Sequence, residues 1–256
     1  MIEPWLVLER DRSRRALIFG PVTPTWDGGD FCAPLTELLL DRGYGVVIVD
    51  TPALFAGGDD RAVSPAWLDS VARRLSELAS ERCLLAGYAL GGSLSVKFSR
   101  YFPSAERVLC LSGPGFVDAS LQRHLACLIE PLRRRNLAEA LRCLATLVAP
   151  AGSLPEARHR DAVGLEKQAE IELACRRMLR GFELLAELDA REEAARFDGD
   201  LLCMVGELSQ LATIENQATV PGRRQHRRLA VPGAGMRLLK DNPKFALDAI
   251  GSWLKT

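Results

Sequence analysis

Apolar positions along this chain follow two alternating patterns at its ends and a single pattern in the middle. Short apolar runs occur near Trp5–Glu9, Ala16–Gly20, Gly45–Asp50, Cys83–Tyr88, Arg107–Gly113, Leu201–Gly206 and Gln225–Val231. The inner runs are almost continuously apolar, as in strands covered on both faces. Between them, three-and-four spacing predicts helices at Phe31–Arg42, Pro65–Ser80, Leu90–Tyr101 and Pro243–Lys255. Pro65 after Ser64 marks a helix start, and Gly43 marks a stop. The alternation predicts an α/β fold: a mostly parallel, twisted sheet with right-handed crossovers and helices on both faces.

From Gly115 to Asp198 the strand pattern stops. Leu121, Leu125, Leu128 and Leu132 repeat at helical spacing, and Pro150-Ala151-Gly152-Ser153 splits the segment into two halves. One domain over residues 1–256, carrying a helical insertion at 115–198, is the expected organisation.

The most informative stretch is Gly87-Tyr88-Ala89-Leu90-Gly91-Gly92. It follows an apolar run and opens a helical one, the setting of a G-x-S-x-G nucleophile elbow, yet its central residue is Ala89. Four further blocks accompany it. Ala16–Gly20 stands where an oxyanion strand would end, and Asp50-Thr51-Pro52-Ala53 where an Asp-x-Pro-Gly turn would. Leu202–Ser209 ends in Gly206-Glu207-Leu208-Ser209, and Val231–Met236 in Gly235-Met236. With these five blocks in this order, the chain from Leu6 to Leu254 resembles the α/β-hydrolase fold family.

The resemblance implies a helical lid at 115–198 over an active site, and three departures from the family's triad. Ala89 stands in place of the nucleophile, Ser209 in place of the acid and Met236 in place of the base. Serine hydrolysis needs all three roles. Losing the nucleophile or base costs about 10⁶ in rate, leaving roughly 10³–10⁴ over water. The remaining pocket is expected to be floored by Ala89 and Leu90, walled by Phe19, Pro21 and Met236, and covered by the lid. Backbone N–H groups around Phe19, Gly20, Pro21 and Leu90 would form any surviving oxyanion hole.

Substitute nucleophiles are scarce. Ser93 is one helical turn past Ala89 and should point into packing. Cys83 and Cys203 sit in strand runs, where a free thiol behaves as a small hydrophobe. Cys32, near the oxyanion loop, is the best thiol candidate but has no histidine beside it. Of the three histidines, His226 reads as a solvated strand start, while His124 and His159 fall in the insertion.

Charge and cysteine content narrow the classes. Thirty-three basic and thirty-three acidic residues balance, which argues against a nucleic-acid footprint. Arg133–Arg135 and Arg223–Arg228 read as solvated surface. Seven scattered Cys without C-x-x-C spacing give neither a disulfide framework nor a metal site. No cofactor is implied. The absence of a leader pattern and of an 18-residue apolar run points to a cytoplasmic protein without a membrane span.

Three functions remain open. The first is a non-catalytic binder of a small apolar or acyl ligand, or of a partner protein. The second is an enzyme of another mechanism (acyl transfer, cyclisation or rearrangement) using backbone donors at an oxyanion hole. It would gain from Asp27, Asp30, Glu207 or His124 converging there. The third is an assembly role, which an exposed apolar patch would favour.

Overall fold

A computed structural model describes residues 3–9, 13–55, 65–153 and 167–255. Seven strands form one sheet: β1 (Trp5–Leu8), β2 (Arg14–Phe19), β3 (Gly45–Val49), β4 (Arg82–Tyr88), β5 (Ala105–Leu111), β6 (Asp200–Gly206) and β7 (His226–Val231). Their order is β1-β3-β2-β4-β5-β6-β7. Only β1, at one edge, runs antiparallel to its neighbour, and the remaining pairs are parallel. The strands read from the sequence are all present, shifted by a residue or two at their ends.

Side-chain alternation divides the interior in two. Leu17, Phe19, Leu85 and Val108 face one core, and Ala16, Ile18, Leu84 and Leu109 face the other, as period-two strands require. Helices α1 (Ala33–Asp41) and α10 (Pro243–Trp253) cover the second face through Leu35, Leu39 and Ile250. Helices α3 (Pro65–Ser76) and α4 (Leu90–Phe98) cover the first through Ala72, Leu75 and Leu94. Two one-turn helices escaped the sequence pattern because they are too short to show a period: α2 (Thr51–Leu54) and α9 (Leu238–Asp241).

Between β5 and β6 the chain forms α5 (Ala119–Arg133), α6 (Leu137–Val148), α7 (Gln168–Glu187) and α8 (Arg191–Arg196). Leu121, Leu125, Leu128 and Leu132 are all buried on one side of α5, and the break at Pro150–Ser153 separates α6 from α7. Asp118 and Asn136 accept the Leu121 and Glu139 amides, capping α5 and α6. A buried ion pair fastens this insertion to the sheet. Arg177 of α7 reaches both carboxylate oxygens of Asp50, at the end of β3, and donates to the Thr23 carbonyl at 2.9 Å. Gly181, one turn on, lets α7 close on Val22; a Cβ there would sit 2.6 Å from a Val22 methyl.

Candidate functional site

A single residue, Ala89, turns the chain from β4 into α4. Its φ of 49° and ψ of −117° lie where L side chains are strained, at a cost of order 1–3 kcal/mol. Close packing holds it there. A Cβ on Gly87 would meet the Gly91 carbonyl oxygen at 2.1 Å, and one on Gly91 would meet the Phe19 oxygen at 2.1 Å. Only glycine at both positions lets strand and helix approach this closely. The Ala89 amide donates to Leu111 at 2.9 Å. Leu90 begins the helix, where the first amides have no acceptor within it.

Above this turn lies a cavity of about 490 Å³. Pro21, Ala89, Leu90 and Met236 line it from the sheet side, and Leu121, Leu125, Leu144, Val148, Phe182 and Leu185 line it from the insertion. Ser209 touches Met236, its Oγ 3.1 Å from the sulfur. The structure therefore joins Ser209 to Met236 directly, and Met236 to Ala89 across one cavity. The loops carrying Met236 and Ser209 are both bound to the insertion: the Met236 amide donates to Val148 at 3.0 Å, and the Ala151 amide to Leu208, beside Ser209, at 2.8 Å.

The architecture has close counterparts among solved structures. The chain superposes over 98% of its length on 94% of MGS-M2, an α/β hydrolase enzyme from a Medee basin deep-sea metagenome library, with a TM-score of 0.76 and 12% identity. It likewise covers 94% of 2-hydroxy-6-oxo-6-phenylhexa-2,4-dienoate hydrolase from Rhodococcus sp. strain RHA1, with a TM-score of 0.72 and 14% identity. For bromoperoxidase from Bacillus anthracis the figures are 95% of that chain, 0.71 and 14%. The chain has the α/β-hydrolase fold. Identities this low speak for the fold and not for an activity. No protein-family model matches the chain, and no curated protein sequence does.

Within this α/β-hydrolase fold, several expectations need correcting. Phe19 is not on the cavity wall: its side chain alternates into the core beneath α4 and packs edge-on against Phe98, centroids 5.7 Å apart. Gly20 does not line the cavity either, and its amide donates to the Val49 carbonyl at 3.0 Å. Pro21 is on the wall but has no N–H. Of the four positions named for that donor set, Leu90 is the one that both lines the cavity and carries an amide, and Val22, beside Pro21, lines it as well.

His226 is buried rather than solvated. Its Nδ1 accepts the Val220 amide at 3.2 Å, so Nε2 carries the proton toward the Phe197 carbonyl, 3.2 Å away. Burial depresses its pKa below the ordinary histidine value, Arg223 adds to the effect, and the Phe197 carbonyl opposes it. His124 does not line the cavity, and His159 lies outside the described residues. Asp27 accepts the Gly29 and Phe31 amides, and Glu207 accepts the Gly233 amide. Asp30 alone of the four suggested polar groups lines the cavity.

The candidate thiols Cys32 and Cys83 are both buried. Burial pushes Cys32 and Cys83 up to about 12, and a protonated thiol is a poor nucleophile. Ser93 donates to the Pro114 carbonyl at 2.6 Å, in packing beneath the turn. Arg133, Arg134 and Arg135 are ion-paired with Glu183, Glu139 and Glu172, and Arg223 with Asp198. Among the described residues, no His, Cys, Asp and Glu group could hold a metal, and no helix is long and apolar enough to cross a membrane.

Sequence reasoning missed four polar groups. Tyr88, Arg237 and Lys240 line the cavity beside Asp30. Tyr88 read as the end of a strand, although any residue flanking an elbow stands at the carboxyl edge of the sheet, where ligands bind. Arg177 was lost among the arginines of a helical segment, and only its burial sets it apart.

Proposed function

We propose that this protein is a non-catalytic binder on an α/β-hydrolase scaffold, holding a small apolar or acyl ligand beneath the insertion, which acts as its lid. The observation that carries this reading is the cavity of about 490 Å³ itself, of the size small ligands occupy. Its floor has no nucleophile at Ala89 and no imidazole at Met236. With the polar triad members gone, an apolar floor is self-consistent, because a lone buried carboxylate or imidazole would be costly.

A non-serine mechanism has less support, since the Gly20 amide is engaged and Pro21 has none to give. An assembly surface also has less support. Among the described residues the exposed large apolar ones are Leu6, Leu173, Leu208 and Phe245, which belong to four separate elements or loops. Free cysteines suit a reducing, cytoplasmic setting.

Native mass spectrometry of the gently purified protein tests the reading. A discrete small-molecule adduct, lost on denaturation, is the expected result. Absence of any adduct, together with robust turnover of short p-nitrophenyl esters, would overturn it.

A further inference from the structure

Two cysteines meet across the first helical hairpin of the insertion. Helices α5 and α6 pack together and are joined by the short turn at residues 134–136, so they run antiparallel. Cys127 and Cys143 each stand eight residues from Arg135, at the middle of that turn, and a hairpin brings such positions level. The same register sets Leu125 of α5 and Leu144 of α6 together on the cavity wall. The two thiols are in hydrogen-bonding contact. Facing residues on packed helices lie about 4–6 Å apart at Cα, within the range of about 4.4–6.8 Å that a disulfide spans. Both are free thiols; Cys127 is exposed and Cys143 half-buried, whereas the other five cysteines are buried, apart from oxidants in solvent.

We propose that Cys127 and Cys143 form a reversible redox site, closing to a disulfide when a peroxide oxidises them and reopening to two thiols on exchange with a thiol reductant. The site does not depend on what the cavity holds. The exposed Cys127 thiolate attacks a peroxide oxygen and the O–O bond breaks; the sulfur becomes a sulfenic acid, and the departing hydroxide takes up a proton as water. Cys143 then attacks that sulfur, forming the S–S bond, and the sulfenic hydroxyl leaves with the Cys143 proton as a second water. The two thiols lose two electrons and the peroxide gains two. Burial pushes the Cys143 thiol up, and Cys127 beside it adds to the effect, so Cys143 is slow to react with solution oxidants. Contact with Cys127 offsets this, because an attack within one hairpin is effectively unimolecular. The bond would tie together the two helices that wall the cavity through Leu125 and Leu144.

Mass spectrometry of the reduced full-length protein, treated with a slight molar excess of hydrogen peroxide, tests this. The intact chain should lose about 2 Da, two hydrogens, and a non-reducing digest should yield a Cys127–Cys143 linked peptide that dithiothreitol abolishes. Amide hydrogen exchange in α5 and α6 should slow in the oxidised form. Its melting temperature should rise by about 5–10 °C, because the bond closes a loop of about 15 residues. Cys143→Ser should prevent the link and leave Cys127 as a sulfenic acid that dimedone captures. Cys127→Ser should leave Cys143 a free thiol at the same peroxide dose. Sulfenic or sulfinic acid accumulating at Cys127 of the unaltered chain, with Cys143 still free, overturns the site, as does a Cys127 link between two chains. A link within one chain that lowers the melting temperature overturns it too, since the hairpin would then have to distort to make the bond.

Discussion

Ser209 Oγ lies 3.1 Å from Met236 Sδ, a hydroxyl set against a thioether. The contact joins the loop after β6 to the loop after β7 without any group that can take up a proton at neutral pH. A thioether is a weak acceptor and not a base. On the reading proposed above, these loops retain the proximity that a charge-assisted pair would need and have lost its chemistry.

Restoring a nucleophile alone should therefore accomplish little. Ala89→Ser is expected to show no fluorophosphonate labelling and no esterase turnover above a denatured control, because a serine without its base loses about 10⁶ in rate. Ala89→Ser with Ser209→Asp and Met236→His should fold and recover at most a trace. Ready labelling of the single variant would reveal another base and remove Met236 from its assigned role.

The backbone at Ala89 yields a stability prediction. At φ 49° a glycine relieves strain that alanine bears, and this exceeds the chain entropy glycine adds when unfolded. Ala89→Gly should stabilise by about 1 kcal/mol, raising the melting temperature by about 2–4 °C. A drop in melting temperature would contradict the strain assigned to this turn.

The Arg177–Asp50 pair should be costly to break and cheap to replace. Asp50→Ala leaves a buried guanidinium uncompensated and should cost about 3–5 kcal/mol in urea denaturation. Asp50→Leu combined with Arg177→Met should recover most of that loss. A penalty under about 1 kcal/mol for the single change would mean that the pair does not hold the insertion.

Acid sensitivity should trace in part to His226. Its folded-state pKa is lowered, so the unfolded chain takes up a proton first as pH falls. The stability from keeping it neutral is full above the unfolded value of about 6.5 and declines as pH drops below it. His226→Gln should be less stable at pH 8 yet show a flatter dependence between about pH 7 and 5. Urea midpoints across that range provide the check, and an unchanged slope would exonerate the imidazole.

The strands and the elbow were legible because each leaves a local signature: apolar runs for strands, and glycines at Gly87 and Gly91 for a close approach. Leu121 and Leu125 announced their burial through spacing alone. The cavity wall was legible only in part. Pro21, Ala89, Leu90 and Met236 follow from motif position, but Phe19 failed because its ring is packed under α4 against Phe98 and not at the cavity wall. Tyr88 and Arg177 depend on partners distant in sequence, which no local pattern encodes. His226 was misread for the same reason: its burial comes from Val220 and Phe197, not from its arginine neighbours.

The Arg177–Asp50 clamp, with the Met236–Val148 and Ala151–Leu208 bonds, has a consequence for traffic. On the reading proposed above, an insertion fastened at several points does not swing aside as one piece, and a guest would exchange through smaller local openings beside it. Through such openings a slender guest would pass more readily than a branched one of the same volume.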